Sequence, residues 1–143
     1  CRTRRPRPTS SPVSWAAKSD VSRPQAAWGE VTIDCRDPER VAAFWAALLD
    51  QPVKQGAEGE WYELGPVVPG GPKINFQPVP EEKVGKARVH LDVWVDDLDA
   101  AVALVEQLGG THTGETHTYP DGVDIVMADP EGTEFCLVAL PSG

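Results

Sequence analysis

Two stretches of this chain alternate apolar and polar residues, and each switches to a helical spacing at an aspartate. In the first, Val31, Ile33 and Cys35 share one face, opposite Glu30, Thr32 and Asp34. In the second, Val89, Leu91, Val93 and Val95 oppose His90, Asp92, Trp94 and Asp96. A period of two puts successive side chains on opposite sides of a strand, so each stretch predicts a strand with unlike faces. Asp37 and Asp97 then stand as helix N-caps, the first followed by Pro38 at a favoured opening position. Val41, Phe44, Trp45, Leu48 and Leu49 make an apolar stripe behind Asp37, and Ala101, Leu104, Val105 and Leu108 make one behind Asp97. Gly109 and Gly110 are placed to end the second helix in a left-handed cap.

These two stretches are copies of one unit. "EVTIDCRDPERVAAFWAALL" from Glu30 aligns with "HLDVWVDDLDAAVALVEQLG" from His90 at an offset of 60 residues. Farther on, "GGPKINFQPV" near residue 71 echoes "EGTEFCLVAL" near residue 132. Three short extended runs follow each helix, at 52–56, 60–64 and 73–78, then at 111–117, 122–128 and 133–140. The turn Asp129–Gly132 introduces the last of them. The predicted class is therefore α+β: two tandem β-α-β-β-β modules, about 28–80 and 87–141. They form a curved mixed sheet around a pocket, with the helices outside.

Length changes little, since 143 residues suffice for one compact domain or two half-sized modules. No apolar run is long enough for a helix to cross a bilayer. Charge is more informative. Residues 1–27 hold six basic side chains and one acid, leaving 7 basic and 21 acidic residues in the remainder. So acidic a body repels phosphates, which excludes nucleic acid as an expected partner. The Arg/Pro/Ser-rich stretch 1–27 reads as a disordered tail; a transit peptide is the lesser alternative, because "RPRP" resists an amphipathic helix. A first residue that is Cys rather than Met reads as a fragment, a processed end or a mis-assigned start. Cys1, Cys35 and Cys136 are odd in number and lack metal-type spacing, which predicts no disulfide framework and fits a reducing cytoplasm. Cys35 reads as a small core hydrophobe.

If the apolar strand faces cover the helices, the opposite faces present Glu30, Thr32 and Asp34, then Lys73, Asn75 and Gln77. The second copy adds His90, Asp92 and Trp94, then Glu134 and Cys136. Polar groups inside a closed structure are costly unless paired or solvated, so these faces predict a small-molecule or metal pocket. The alternative is an open sheet whose second face meets solvent.

Glu30 and His90, each seven positions before a capping Asp, resemble the vicinal oxygen chelate superfamily of glyoxalase I, extradiol dioxygenases and bleomycin-resistance proteins. The strings quoted above, with "DPEGTEFCLV", are most similar to its actinobacterial glyoxalase-like branch, over about residues 28–140. The resemblance implies metal ligands on the first and last strand of each module. Glu30 falls on the first such position and His90 on the third, while Asn75 and Cys136 fall on the second and fourth. Glu30 is thus the candidate catalytic base or metal ligand and His90 a metal ligand. Thr32, Asp34, Asn75, Gln77, Asp92, Trp94, Glu134 and Cys136 are candidate ligand-binding residues. A carboxylate and an imidazole suit Zn²⁺, Ni²⁺, Fe²⁺ or Mn²⁺, whereas Asn is a weak ligand.

Two functions follow from the resemblance. One is a divalent-metal-assisted lyase or isomerase acting on a metabolite. Glyoxalase I activity is disfavoured because both module-ending carboxylates are missing, and extradiol cleavage because its ligand triad is not present. The other is a metal-free, bleomycin-resistance-like binding protein, whose acids beside Trp94 suit a cationic or planar ligand. Trp61, Tyr62 and Tyr119 are either aromatic walls or packing residues, and His112 and His117 read as surface residues. A cytoplasmic bacterial homodimer with a small-molecule ligand and no membrane partner completes the expectation.

Overall fold

A computed structural model describes residues 24–57 and 59–139 of the chain. The tail expected at 1–27 lies outside the described residues up to residue 23, as does the last part of the expected domain from residue 140. The element order is β1 (Glu30–Cys35), α1 (Pro38–Leu48), β2 (Val53–Gln55), β3 (Tyr62–Leu64) and β4 (Lys73–Pro78). Then come β5 (Asp92–Val95), α2 (Leu98–Gln107), β6 (Thr111–Tyr119), β7 (Gly122–Ala128) and β8 (Glu134–Ala139). This is the β-α-β-β-β order twice.

The strands form two four-stranded mixed sheets, one per module, ordered β1-β4-β3-β2 and β5-β8-β7-β6. In each, the first and last strands pair in parallel across the helix and the other pairs are antiparallel. The registers match between copies: Thr32 lies opposite Asn75, and Asp92 opposite Cys136. The duplication read from the letters therefore holds at single-residue resolution.

Local chemistry explains the helix boundaries. Asp37 Oδ1 accepts from Arg40 N at 3.1 Å and Asp97 Oδ1 from Ala100 N at 3.0 Å, satisfying donors left free in a helix's first turn. Both helices end in a double reverse bond. Gly110 N bonds to Val105 O and Gly109 N to Glu106 O; Gln51 N bonds to Ala46 O and Asp50 N to Ala47 O. The residue that turns left-handed is Gly109 (φ 96°) in one case and Asp50 (φ 51°) in the other. Asp carries a steric cost there that Gly escapes.

One apolar core spans both modules. Val41, Phe44 and Trp45 of α1, Phe76 of β4, Val105 of α2, and Phe135 and Leu137 of β8 are all buried in it. Trp45 stacks on Phe135 at a centroid distance of 4.8 Å, and Phe44 meets both rings edge-on. Cys35 is buried and free, as a core residue should be. Burial, with Glu131 and Asp129 nearby, pushes its thiol up to about 12. The α2 stripe is narrower than expected: Ala101 and Val105 are buried, but Leu104 is 37% exposed. α2 meets chiefly β8 and β6, and that contact needs fewer of its residues.

Candidate functional site

The strand faces turned away from the helices hold most of the residues singled out by the alternation. β1 exposes Glu30, Thr32 and Asp34, and β5 exposes Asp92 and Trp94, the last at 57%. This part of the face is open. The inner positions differ, because Asn75 on β4 and Cys136 on β8 are flanked on both sides by neighbouring strands and are 4% and 2% exposed. Gln77 Nε2 donates to Asp34 Oδ1 at 2.6 Å across the parallel pair, so these two satisfy one another.

His90 does not lie on a strand, contrary to the alternation pattern. β5 begins at Asp92, and Val89 is 78% exposed. The reason is local: Cys136 N bonds to Leu91 O at the end of the ladder, while upstream Ala87 N donates to the Glu134 carboxylate. A side chain ties this stretch where the ladder would otherwise continue. His90 Nε2 sits 3.3 Å from Asp92 Oδ1.

Two cavities divide the expected site. The first, about 290 Å³, lies between β1 and the irregular strap of residues 83–91, with Trp45 and Phe135 at its base. Thr32, Asp34, His90 and Glu134 line it, together with Lys83 and Lys86. Lys83 Nζ holds Glu134 Oε2 at 3.0 Å. Burial raises the Glu134 pKa, but the hydrogen bonds from Lys83 and Ala87 outweigh it and leave the carboxyl below its ordinary value. The second cavity, about 380 Å³, lies on the first module alone, lined by Glu30, Gly56, Ala57, Trp61, Tyr62, Glu63 and Asn75. Lys73 Nζ pairs with Glu63 Oε1 at 2.8 Å, and its pKa is raised by Glu63 and, more weakly, by Glu30.

The residues that the resemblance assigns to a metal do not fit one in this chain. Glu30 and His90 line different cavities, and Asn75 is a weak donor. His90, Asp92 and Cys136 do bring three donor atoms within 4.8 Å of one another. Of the residues that the resemblance assigns to a metal, this cluster holds His90 and Cys136 and lacks Glu30.

Sequence reasoning missed the strap, because residues 79–88 have no periodicity and the alternation at 89–91 reads as strand, and it missed Glu63. It also missed Glu131, whose carboxylate accepts from Arg36 N at 2.7 Å and Asp37 N at 2.8 Å, joining the second module to the start of α1. Trp61 and Tyr62 do serve as cavity walls. His112 is exposed, and His117 lies 2.7 Å from Glu115 on β6; neither lines either cavity.

Paired β-α-β-β-β modules with polar clefts on their outer strand faces define a class of protein that is matched by comparison. The chain belongs to the glyoxalase-like domain family, which it matches over residues 30–138. Among solved structures it is similar to a glyoxalase/bleomycin resistance protein/dioxygenase family enzyme from Burkholderia phytofirmans PsJN. That likeness has 19% identity and a TM-score of 0.66, covering 80% of this chain and 98% of that one. It is also similar to the fosfomycin resistance protein FosX from Mesorhizobium loti, at 17% identity and a TM-score of 0.60, covering 80% and 92%. A hypothetical protein, SA1046 from S. aureus, shares 16% identity and a TM-score of 0.60, covering 81% and 97%. Curated protein sequences give no significant match. At such identities the structural likeness shows the fold alone. No helix among the described residues is long and apolar enough to cross a membrane.

Proposed function

We propose that this protein binds a small molecule on the polar strand faces of its two modules and that binding does not depend on a resident metal. The observation that carries this reading is the separation of Glu30 from His90 into different cavities, with a weak donor at Asn75. Binding alone needs only a concave, partly apolar surface with a few placed polar groups, and each cavity offers that. The fold, shared with a glyoxalase/bleomycin resistance protein/dioxygenase family enzyme and a fosfomycin resistance protein, and the strings that resemble the actinobacterial glyoxalase-like branch are in keeping with a small-molecule pocket. In this reading the exposed faces of β1 and β5, with Trp94, are where a homodimer partner would cover the ligand.

A second reading is favoured by the cluster of His90, Asp92 and Cys136, which would hold a divalent ion such as Zn²⁺. Elemental analysis of untagged protein separates the two. The expected result is substoichiometric metal in the native protein and no thermal stabilisation by Zn²⁺, Ni²⁺, Fe²⁺ or Mn²⁺. Stoichiometric metal lost in both Glu30→Ala and His90→Ala would overturn the reading, whether one chain or two supply the ligands. Stoichiometric metal that is lost in His90→Ala and kept in Glu30→Ala would establish the second reading.

A further inference from the structure

We infer that the cavity on the first module takes a small planar organic cation with N–H donors, of the amidinium or guanidinium class. The inference rests on the binding role proposed above and names the ligand chemistry of one of its two cavities. Three observations converge on it. Glu30 and Glu63 both line the cavity, and Lys73, paired to Glu63, offsets only one of the two charges. A net negative site remains. Trp61 stands at the wall, 42% exposed, held by the β2–β3 hairpin through the bond from Gly56 N to Trp61 O at 2.8 Å. A Cβ on Gly56 would come within 3.0 Å of the Trp61 Cβ, so the small residue lets the indole side sit close to the hairpin backbone.

The third observation is independent of charge. Asn75 is 4% exposed, lines the same cavity, and its carboxamide makes no hydrogen bond among the described residues. Its polar atoms are not sealed inside the protein, so a ligand in the cavity can reach them and supply the hydrogen bonds that the protein does not. Its oxygen accepts and its nitrogen donates. A planar N–H cation meets all three features at once: its face on the indole, one edge on the Glu30 carboxylate, and a further N–H on the Asn75 oxygen. A quaternary ammonium would satisfy the first and the charge but leave the amide unpaired. An anion would meet the wrong sign.

Isothermal titration in the presence of a chelator, with benzamidinium and agmatine as probes, tests this. Tetramethylammonium and benzoate serve as controls, and Glu106→Gln on the exposed face of α2 as a control variant. Both N–H cations are expected to bind, more weakly as salt rises, and benzoate is not. Binding should weaken about tenfold in Glu30→Gln and in Trp61→Ala, and be unchanged in Glu106→Gln. Asn75→Ala should bring benzamidinium down to the affinity of tetramethylammonium while leaving tetramethylammonium unchanged. Circular dichroism melts of each variant establish that it is folded, and Asn75→Ser replaces Asn75→Ala where the latter is not. Failure of both N–H cations to bind at millimolar concentration would overturn the inference. So would equal binding by Glu30→Gln, or benzoate binding as tightly as benzamidinium. The chelator makes the result independent of metal content, so this inference and the metal-free reading fail separately.

Discussion

The two modules share a strand register and a helix cap, yet they use the turn before their last strand in opposite ways. In the first module the turn is Val68-Pro69-Gly70-Gly71, closed by Gly71 N on Val68 O at 2.9 Å. In the second it is Asp129-Pro130-Glu131-Gly132, closed by Gly132 N on Asp129 O at 2.9 Å. Gly70 sits at φ 71°, a conformation that suits glycine, so the first turn carries no side chain at that place. Glu131 holds the matching place without a positive φ, and its carboxylate binds the two amides that open α1. Asp129 Oδ2 accepts from Trp45 Nε1 at 3.3 Å, while its Oδ1 accepts from Glu131 N and Thr133 N. Burial raises the Asp129 pKa, opposed by these hydrogen bonds. One copy of the turn is a plain reversal; the other is the clamp between modules. Duplication supplied the frame, and divergence at two positions made it asymmetric.

The largest effect should come from removing what the clamp holds. Trp45→Ala empties a site 1% exposed at the junction of α1 and β8, and it should cost about 3–5 kcal/mol in urea unfolding. A loss under about 1 kcal/mol would mean that the modules are stable without each other. Cutting the clamp itself is milder. Glu131→Ala should cost about 1–2 kcal/mol, since it leaves Arg36 N and Asp37 N without their carboxylate. The matched change Gly70→Ala should act only through its local backbone, with no loss of contact between modules, as amide exchange at Arg36 and Asp37 would report.

The smallest effect is a pH dependence confined to the strap of the second module. The folded pKa of Glu134 lies below its ordinary value of 4.5, so its contribution to stability is present above that value. As pH falls through the lowered pKa the contribution is lost, and Lys83 and Ala87 are released. The protection of the Ala87 amide, relative to its intrinsic exchange rate at each pH, should therefore fall in acid in the native protein, and be low and free of this acid step in Glu134→Gln. In the first module Lys73 stands in the corresponding place and pairs with Glu63 of β3.

Much of the fold was legible because it rests on periodicity. The alternation at Glu30–Cys35, the caps at Asp37 and Asp97, and the glycine pair after α2 each have one local physical meaning, and each is found in its place. The site was less legible. Strand alternation puts Glu30 and His90 on equivalent faces, but it cannot say that the chain leaves the ladder before Asp92 and that the two residues line different cavities. Glu131 and Lys83 act across 95 and 51 residues of sequence, from a turn and a strap with no repeating pattern. Nothing local marks such partners.

Cys35 has a use that follows from where it lies. Its thiol is 3% exposed beneath the first helix, and acidic neighbours and burial keep it protonated at any pH at which the protein would be handled. Alkylating reagents attack thiolates, so this sulfur is silent while α1 stays docked on β1. The chain thus carries its own opening clock: the rate at which Cys35 becomes modified reads the rate at which the core under α1 comes apart.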